Sequence, residues 1–366
     1  MQGDAAGNGQ AGQVLPDLHL CNTYRHLLMS LATIAHAGRA ATVLYLEDAL
    51  PIPADMRQRL ATACPLATFI FTRDADQMAA FARLPRGVPA IIRRNLTLGS
   101  AGLTTPRNWQ MPVLAGQRFA TGYLYHAGFF TAKVVAARCR RVVLRESGLN
   151  NYVRLQVPPL KAALRALAGL PPRQQVWGEQ RWIDAIEVSH PADLPVEVRG
   201  KARALTFSDV MDVLPATTAR NIAAAFCAQM PQIAVAGTKT AILLTQPIDD
   251  IGICAPADKQ ALYSQIVGVL VKAGYRVSVK PHPSEAAFTL PGVMTLPPAF
   301  PVEAWPYITD QKFSLAVALC SAALVSGARA FADQTTQLVP AAMFNVDHFA
   351  KWPGVIAPAL ATALRR

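Results

Sequence analysis

Apolar residues in this chain fall into short runs separated by stretches of helical spacing. Asp17-Leu18-His19-Leu20-Cys21 predicts a strand and Asn22-Thr23 the N-cap of a helix, in which Leu27, Leu28, Leu31, Ile34 and Ala35 recur until Gly38. Thr42 to Leu46 is a β-branched and aliphatic run, Met56 to Cys64 has helical spacing, and Thr68-Phe69-Ile70-Phe71 predicts a third strand. This β-α-β-α-β order opens a doubly wound α/β sheet. Pro85 to Gly122 is irregular, Thr121 to Arg138 predicts a helix, and Arg141 to Leu144 a compact strand. Leu160 to Leu170 predicts a helix closed by Pro171-Pro172, and Trp182 to Ile186 alternates like a strand, with Ala202 to Leu214 as its partner.

The rhythm restarts at Thr240. Ala241 to Leu244, Arg276 to Lys280 and Phe313 to Leu319 predict strands, with helices over Asp258–Ala273, Val302–Ile308 and Ala322–Phe331. Five segments follow: a disordered tail over 1–13, a first domain over 14–215, and a linker over 216–239. A second domain covers 240–345, and a final helix within 346–366 packs back on the first domain. A length of 366 residues favours two domains. With 52% hydrophobic and 16% charged residues, the chain can build cores and is not broadly disordered.

A net charge of +12 implies an acidic partner: phosphorylated substrate, anionic membrane or nucleic acid. The basic residues are scattered, Arg138-Cys139-Arg140-Arg141 being the densest cluster, which argues against a dedicated nucleic-acid binder. Six cysteines without CxxC spacing predict buried thiols, with no disulfide framework and no metal site. No run approaches a membrane-spanning helix, and Met1 to Gln13 lacks the features of a signal peptide, so a cytoplasmic protein is expected.

Candidate chemistry stands just past the strand ends, where open α/β sheets bind ligands. Thr245 and Gln246 offer a hydroxyl and an amide to a phosphate or sugar. His282 follows Lys280 and is framed by Pro281 and Pro283, which rigidify its backbone; such a histidine can donate to a phosphate oxygen. Glu303 either accepts both hydroxyls of a ribose or is a helix-start carboxylate favoured by the dipole. Ser321 ends a strand, and its hydroxyl together with the helix start forms a phosphate seat. Thr23 either contacts a substrate in the cleft or simply caps its helix, with Arg25 and His26 solvated. Glu146, on the turn Glu146-Ser147-Gly148, is either a general base or a surface carboxylate. No Gly-x-Gly-x-x-Gly follows the first strand, which disfavours a dinucleotide cofactor.

Ile242-Leu243-Leu244-Thr245-Gln246-Pro247, the Lys280-Pro281-His282-Pro283 box, Phe300-Pro301-Val302-Glu303 and Ser321 resemble the donor domain of bacterial sialyltransferases and polysialyltransferases. The resemblance implies a GT-B fold, two Rossmann-like doubly wound domains facing a cleft. It also implies metal-independent, inverting transfer from CMP-sialic acid, with the CMP-sugar as substrate and no cofactor. Carried over, Glu146 is the base, His282 assists the departing CMP phosphate, Ser321 binds that phosphate, and Glu303 binds ribose. Lys280, Thr245, Gln246 and Thr23 complete the expected donor contacts. Ser147 and Ala322 depart from the family's acidic and serine pairs. If Glu146 is not the base, Asp48, Glu47 and Asp184 come next. The expected acceptor is a capsule or lipooligosaccharide glycan, with peripheral contact to an anionic inner membrane. Competing readings are a Kdo or CDP-glycerol-type transferase, a sugar-nucleotide epimerase, and a degenerate binding subunit.

Overall fold

In the computed structural model, residues 14–82, 111–167, 171–227, 237–285, 288–321, 323–324 and 331–365 are described. The expected tail over 1–13, most of the irregular stretch from Pro85 and most of the helix expected over Ala322–Phe331 lie outside them. The first sheet contains Asp17–Cys21 (β1), Ala41–Leu46 (β2), Ala67–Thr72 (β3), Phe119–Leu124 (β4) and Cys139–Arg145 (β5). Leu155–Gln156 (β6) and Gln174–Gln175 (β7) form a small antiparallel ribbon beside it, and Ala185–Val188 (β8) and Ala202–Ala204 (β9) complete the sheet. Its order is β3-β2-β1-β4-β5-β8-β9. All its pairings are parallel. β1 and β2 are buried along their whole length, as expected where helices cover both faces of a parallel sheet.

Thr240–Leu244 (β10), Arg276–Lys280 (β11), Met294–Thr295 (β12), Phe313–Ala318 (β13) and Ala332–Gln337 (β14) form the second sheet. Its order is β12-β11-β10-β13-β14, again parallel throughout. The order of strand addition reverses between β1 and β4 in one sheet and between β10 and β13 in the other. These are the two switch points at which crevices open.

Three sequence expectations are corrected. The helix expected over Thr121–Arg138 is strand β4 followed by a helix at Phe130–Ala136. Gly122 lets β4 and β5 approach, since a Cβ there would lie 2.6 Å from Cys139 Sγ. The expected linker contains a helix, Ala216–Ala224, whose Ala219, Ile222 and Ala223 are buried. That helix joins a core shared by both sheets, with Leu27, Leu31 and Tyr45 on one side and Ile242, Phe300, Trp305 and Phe313 on the other. Among the described residues, the final helix, Trp352–Leu364, packs on the second sheet and not on the first domain. It buries Trp352, Ile356 and Leu360 in the core of the second sheet, with Leu243, Tyr263 and Leu315.

The shared core fixes how the two halves meet. Helix Tyr24–Ala37 (α1) starts at the carboxyl end of β1, and the short 3-10 helix Val302–Tyr307 follows β12. The Tyr307 hydroxyl donates to Asp212 Oδ1 at 2.6 Å, a polar tie across the same seam.

Candidate active site

At the mouth of the first sheet, the turn after β5 holds Glu146. Gly148 has φ 146°, a conformation that favours glycine, and this turns the chain sharply after Ser147. Glu146 is 8% exposed. Its Oε2 accepts from the Tyr152 hydroxyl and from the Ser189 N–H, each at 2.7 Å. Its Oε1 lies 3.8 Å from Arg25 Nη2.

Arg25, in the first turn of α1, spans the two halves. Its Nε donates to Glu303 Oε1 at 3.0 Å and its Nη1 to the Glu146 carbonyl at 3.1 Å. Glu303 is 7% exposed. The proposed base and the proposed ribose ligand, 157 positions apart by their own numbers, thus meet on one guanidinium. The expectation that Arg25 and His26 are solvated is corrected. His26 is buried, stacked on Tyr125 with centroids 4.1 Å apart, and bonded through Nδ1 to Asn22 Oδ1 and through Nε2 to Ser147 Oγ. Burial first, then Arg25 and His126, holds its pKa well below the ordinary histidine range. Thr23 is the helix cap, its hydroxyl oxygen accepting from the His26 N–H.

Across the gap, β11 and β13 flank β10, with Lys280 and Ala318 both level with Leu244. His282 and Ser321 follow those strands, which lie two strand spacings or about 10 Å apart in the sheet. His282 is exposed. The Ser284 hydroxyl lies 2.7 Å from its Nδ1, and the Ser284 N–H donates to the same atom at 3.3 Å. With Nδ1 accepting, the proton of a neutral ring sits on Nε2. Desolvation, then Lys280 and Lys259, push the His282 pKa down. The lowered pKa keeps the ring neutral at pH 7 while water still reaches it.

The loop that carries His282 is anchored by Glu285. Its Oε2 accepts from the His282 N–H and from the Thr245 hydroxyl, both at 2.7 Å, and its Oε1 lies 2.6 Å from Lys259 Nζ. Lys259 also pairs with Asp249 at 2.6 Å. Three expected donor contacts are thereby corrected. Thr245 is buried with its hydroxyl held by Glu285. The Gln246 amide bridges the Cys320 backbone, donating to its carbonyl and accepting from its N–H, and so closes the β10–β13 switch point. Lys280 is buried, its ammonium donating to the carbonyls of Pro281 and Pro298, and desolvation lowers its pKa to about 8 against the raising effect of Glu303 and Glu285. Ser321 is partly exposed, and its N–H donates to Gln337 Oε1.

The alternative bases are occupied elsewhere. Glu47 binds Arg57 and the Ile52 N–H, Asp48 caps the helix at Asp74, and Asp184 accepts from the Val142 N–H.

A family model described as alpha-2,8-polysialyltransferase (POLYST) matches residues 129–340, well over half of the chain. The chain belongs to that family. The matched stretch takes in Glu146, His282, Glu303 and Ser321, and this polysialyltransferase-family protein is a glycosyltransferase with a GT-B fold. No curated protein matches it in sequence. Among solved structures, it is similar to a 2,6-sialyltransferase from Photobacterium sp. JT-ISH-224 in ternary complex with CMP and lactose. That similarity has a TM-score of 0.50 at 8% identity over 95% of this chain and 76% of the other, and it shows the fold alone. The GT-B domain of a Photobacterium damselae sialyltransferase gives 0.46 at 12% identity, over 95% and 97% of the two chains. S. aureus MnaA with UDP gives 0.49 at 7% identity, over 96% and 90%.

Among the described residues, no group of three or more His, Cys, Asp or Glu is arranged to hold a metal ion, and no helix is long and apolar enough to cross a membrane. Sequence reasoning missed the roles of Arg25, Tyr152, Ser189 and Glu285. Only Glu285 left a local trace, two residues past the Lys280-Pro281-His282-Pro283 box.

Proposed function

We propose that this glycosyltransferase moves sialic acid, or a related 2-keto sugar acid, from a CMP donor to a glycan acceptor with inversion at the anomeric carbon. The observation that carries the reading is the meeting of Glu146 and Glu303 on Arg25. The acceptor oxygen attacks the anomeric carbon and gives its proton to Glu146. Tyr152 and Ser189 engage Oε2, so Oε1 is the oxygen left to receive it. The bond to the CMP phosphate breaks as the new bond forms, and the departing charge is met by the His282 Nε2–H and the Ser321 hydroxyl. Glu303 accepts from the ribose hydroxyls.

These protein donors make the reading independent of metal and cofactor, so transfer persists in EDTA. Capsule or lipooligosaccharide glycans are the acceptor class, and the net charge of +12 suits a polyanionic glycan or an anionic inner-membrane surface. The test is CMP release from CMP-sialic acid with an acceptor present. Glu146→Gln is expected to abolish transfer and keep CMP binding. Unchanged transfer would remove Glu146 as the base. Release from CMP-Kdo or CDP-glycerol instead would reassign the donor, and binding without any release would make this a binding subunit.

A further inference from the structure

The cations around the cleft differ in what holds them. Arg145 is buried against Glu187 Oε2 and the Thr33 hydroxyl, Lys280 against two carbonyls, and Lys259 between Asp249 and Glu285. A ligand in the cleft could not take over those partners. Arg25 is held differently. Its side chain is 22% exposed against 7% for Glu303, and its Nε–Glu303 contact bridges the seam between the two halves.

We propose that the Arg25–Glu303 ion pair stands in for the donor, and that Arg25 is the residue that selects a sugar acid. When the donor binds, ribose hydroxyls take Glu303, and the carboxylate of the transferred sugar takes the Nε–Nη2 edge of the guanidinium, whose Nε Glu303 releases. The inference rests on the donor reading above. Its physical basis is an exchange of like for like. Glu303 loses a donor and gains donors, while Arg25 loses a carboxylate and gains one, so neither charge is left unpaired. Arg25 Nη1 can stay on the Glu146 carbonyl throughout, which keeps the bound sugar acid beside the base. CMP alone, or a nucleotide carrying a neutral sugar, satisfies only Glu303 and leaves Arg25 Nε without the carboxylate it held. Discrimination therefore comes from a cost levied on the wrong ligand as well as a contact made to the right one.

Calorimetric titration of the full chain with CMP and with an unreactive 3-fluoro analogue of CMP-sialic acid tests this. The wild type is expected to bind the analogue about tenfold or more tightly than CMP, the range of one charge-assisted bidentate contact. Arg25→Ala should remove that preference while CMP binds as well as before or better, because Glu303 is then open. Arg25→Lys, which keeps the charge without the fork, should fall between, and it decides the question should Arg25→Ala fail to fold. A preference unchanged in the variants overturns the inference and leaves the donor reading standing. Equal weakening of both ligands also overturns it, since Arg25 would then only tie the domains. A wild type that binds neither ligand sinks the donor reading, and this inference with it.

Discussion

His282 shows how its surroundings decide the chemistry of one side chain. Two prolines fix its backbone, Ser284 engages Nδ1, and desolvation followed by nearby ammonium groups disfavours the imidazolium, so a neutral Nε2–H remains for a phosphate oxygen. Removing one donor of this kind costs about 10²–10³ in turnover. His282→Ala is therefore expected to lower kcat for CMP release by about that factor. Because the ring is exposed, the melting temperature should stay unchanged; wild-type turnover would rule out its role. Lys-Pro-His-Pro made this residue legible in the sequence. Thr245, Gln246 and Lys280 were misread because a strand-end position says where a residue stands and not where its side chain turns. The partners that turn Thr245 and Gln246 inward lie 40 and 74 positions away. Arg25 was further out of reach, bonded to a carboxylate 278 positions along the chain.

At the level of elements, the loop after β11 is held less by its prolines than by the buried Lys259–Glu285 pair, which joins it to the helix Pro256–Lys272. Glu285→Ala removes the acceptor for the Thr245 hydroxyl and the His282 N–H and leaves Lys259 with Asp249 and the Phe288 ring. Breaking a buried pair on one side costs about 3–5 kcal/mol, and a loss in that range is expected from urea unfolding. Glu285→Gln, which keeps an acceptor oxygen, should lose less. Equal and small losses for both would show that the loop stands without this support. The strands of both sheets were largely legible because parallel strands covered on both faces read as continuous apolar runs. β4 was not: its apolar positions merge with those of the helix Phe130–Ala136, and Gly122 reads as a break. Nor was the helix Ala216–Ala224, whose prolines and glycines nearby suggested a linker while tertiary packing made it core.

For the molecule as a whole, burial of neutral histidines ties stability to pH. His19 and His26 are both buried, and desolvation leads the causes that hold their pKa values well below 6.5. The unfolded chain takes up these protons as pH falls through about 6.5 while the folded chain does not, so stability is full above that pH and declines below it. Each group contributes a slope of about 1 kcal/mol per pH unit in that window. Unfolding free energy measured at pH 7 and pH 5.5 should drop accordingly, and His26→Gln should flatten the slope; a flat wild-type profile would mean that these histidines protonate in place.

The two halves face each other through a shared apolar core, the Arg25 guanidinium and the Tyr307–Asp212 tie, and what fills the gap between them decides the chemistry. The most direct measurement is a crystal structure of the protein with CMP. The phosphate should lie within about 3 Å of His282 Nε2 and the Ser321 hydroxyl, with the ribose hydroxyls on Glu303. CMP seated away from these strand ends, or with its phosphate against other residues, would contradict it.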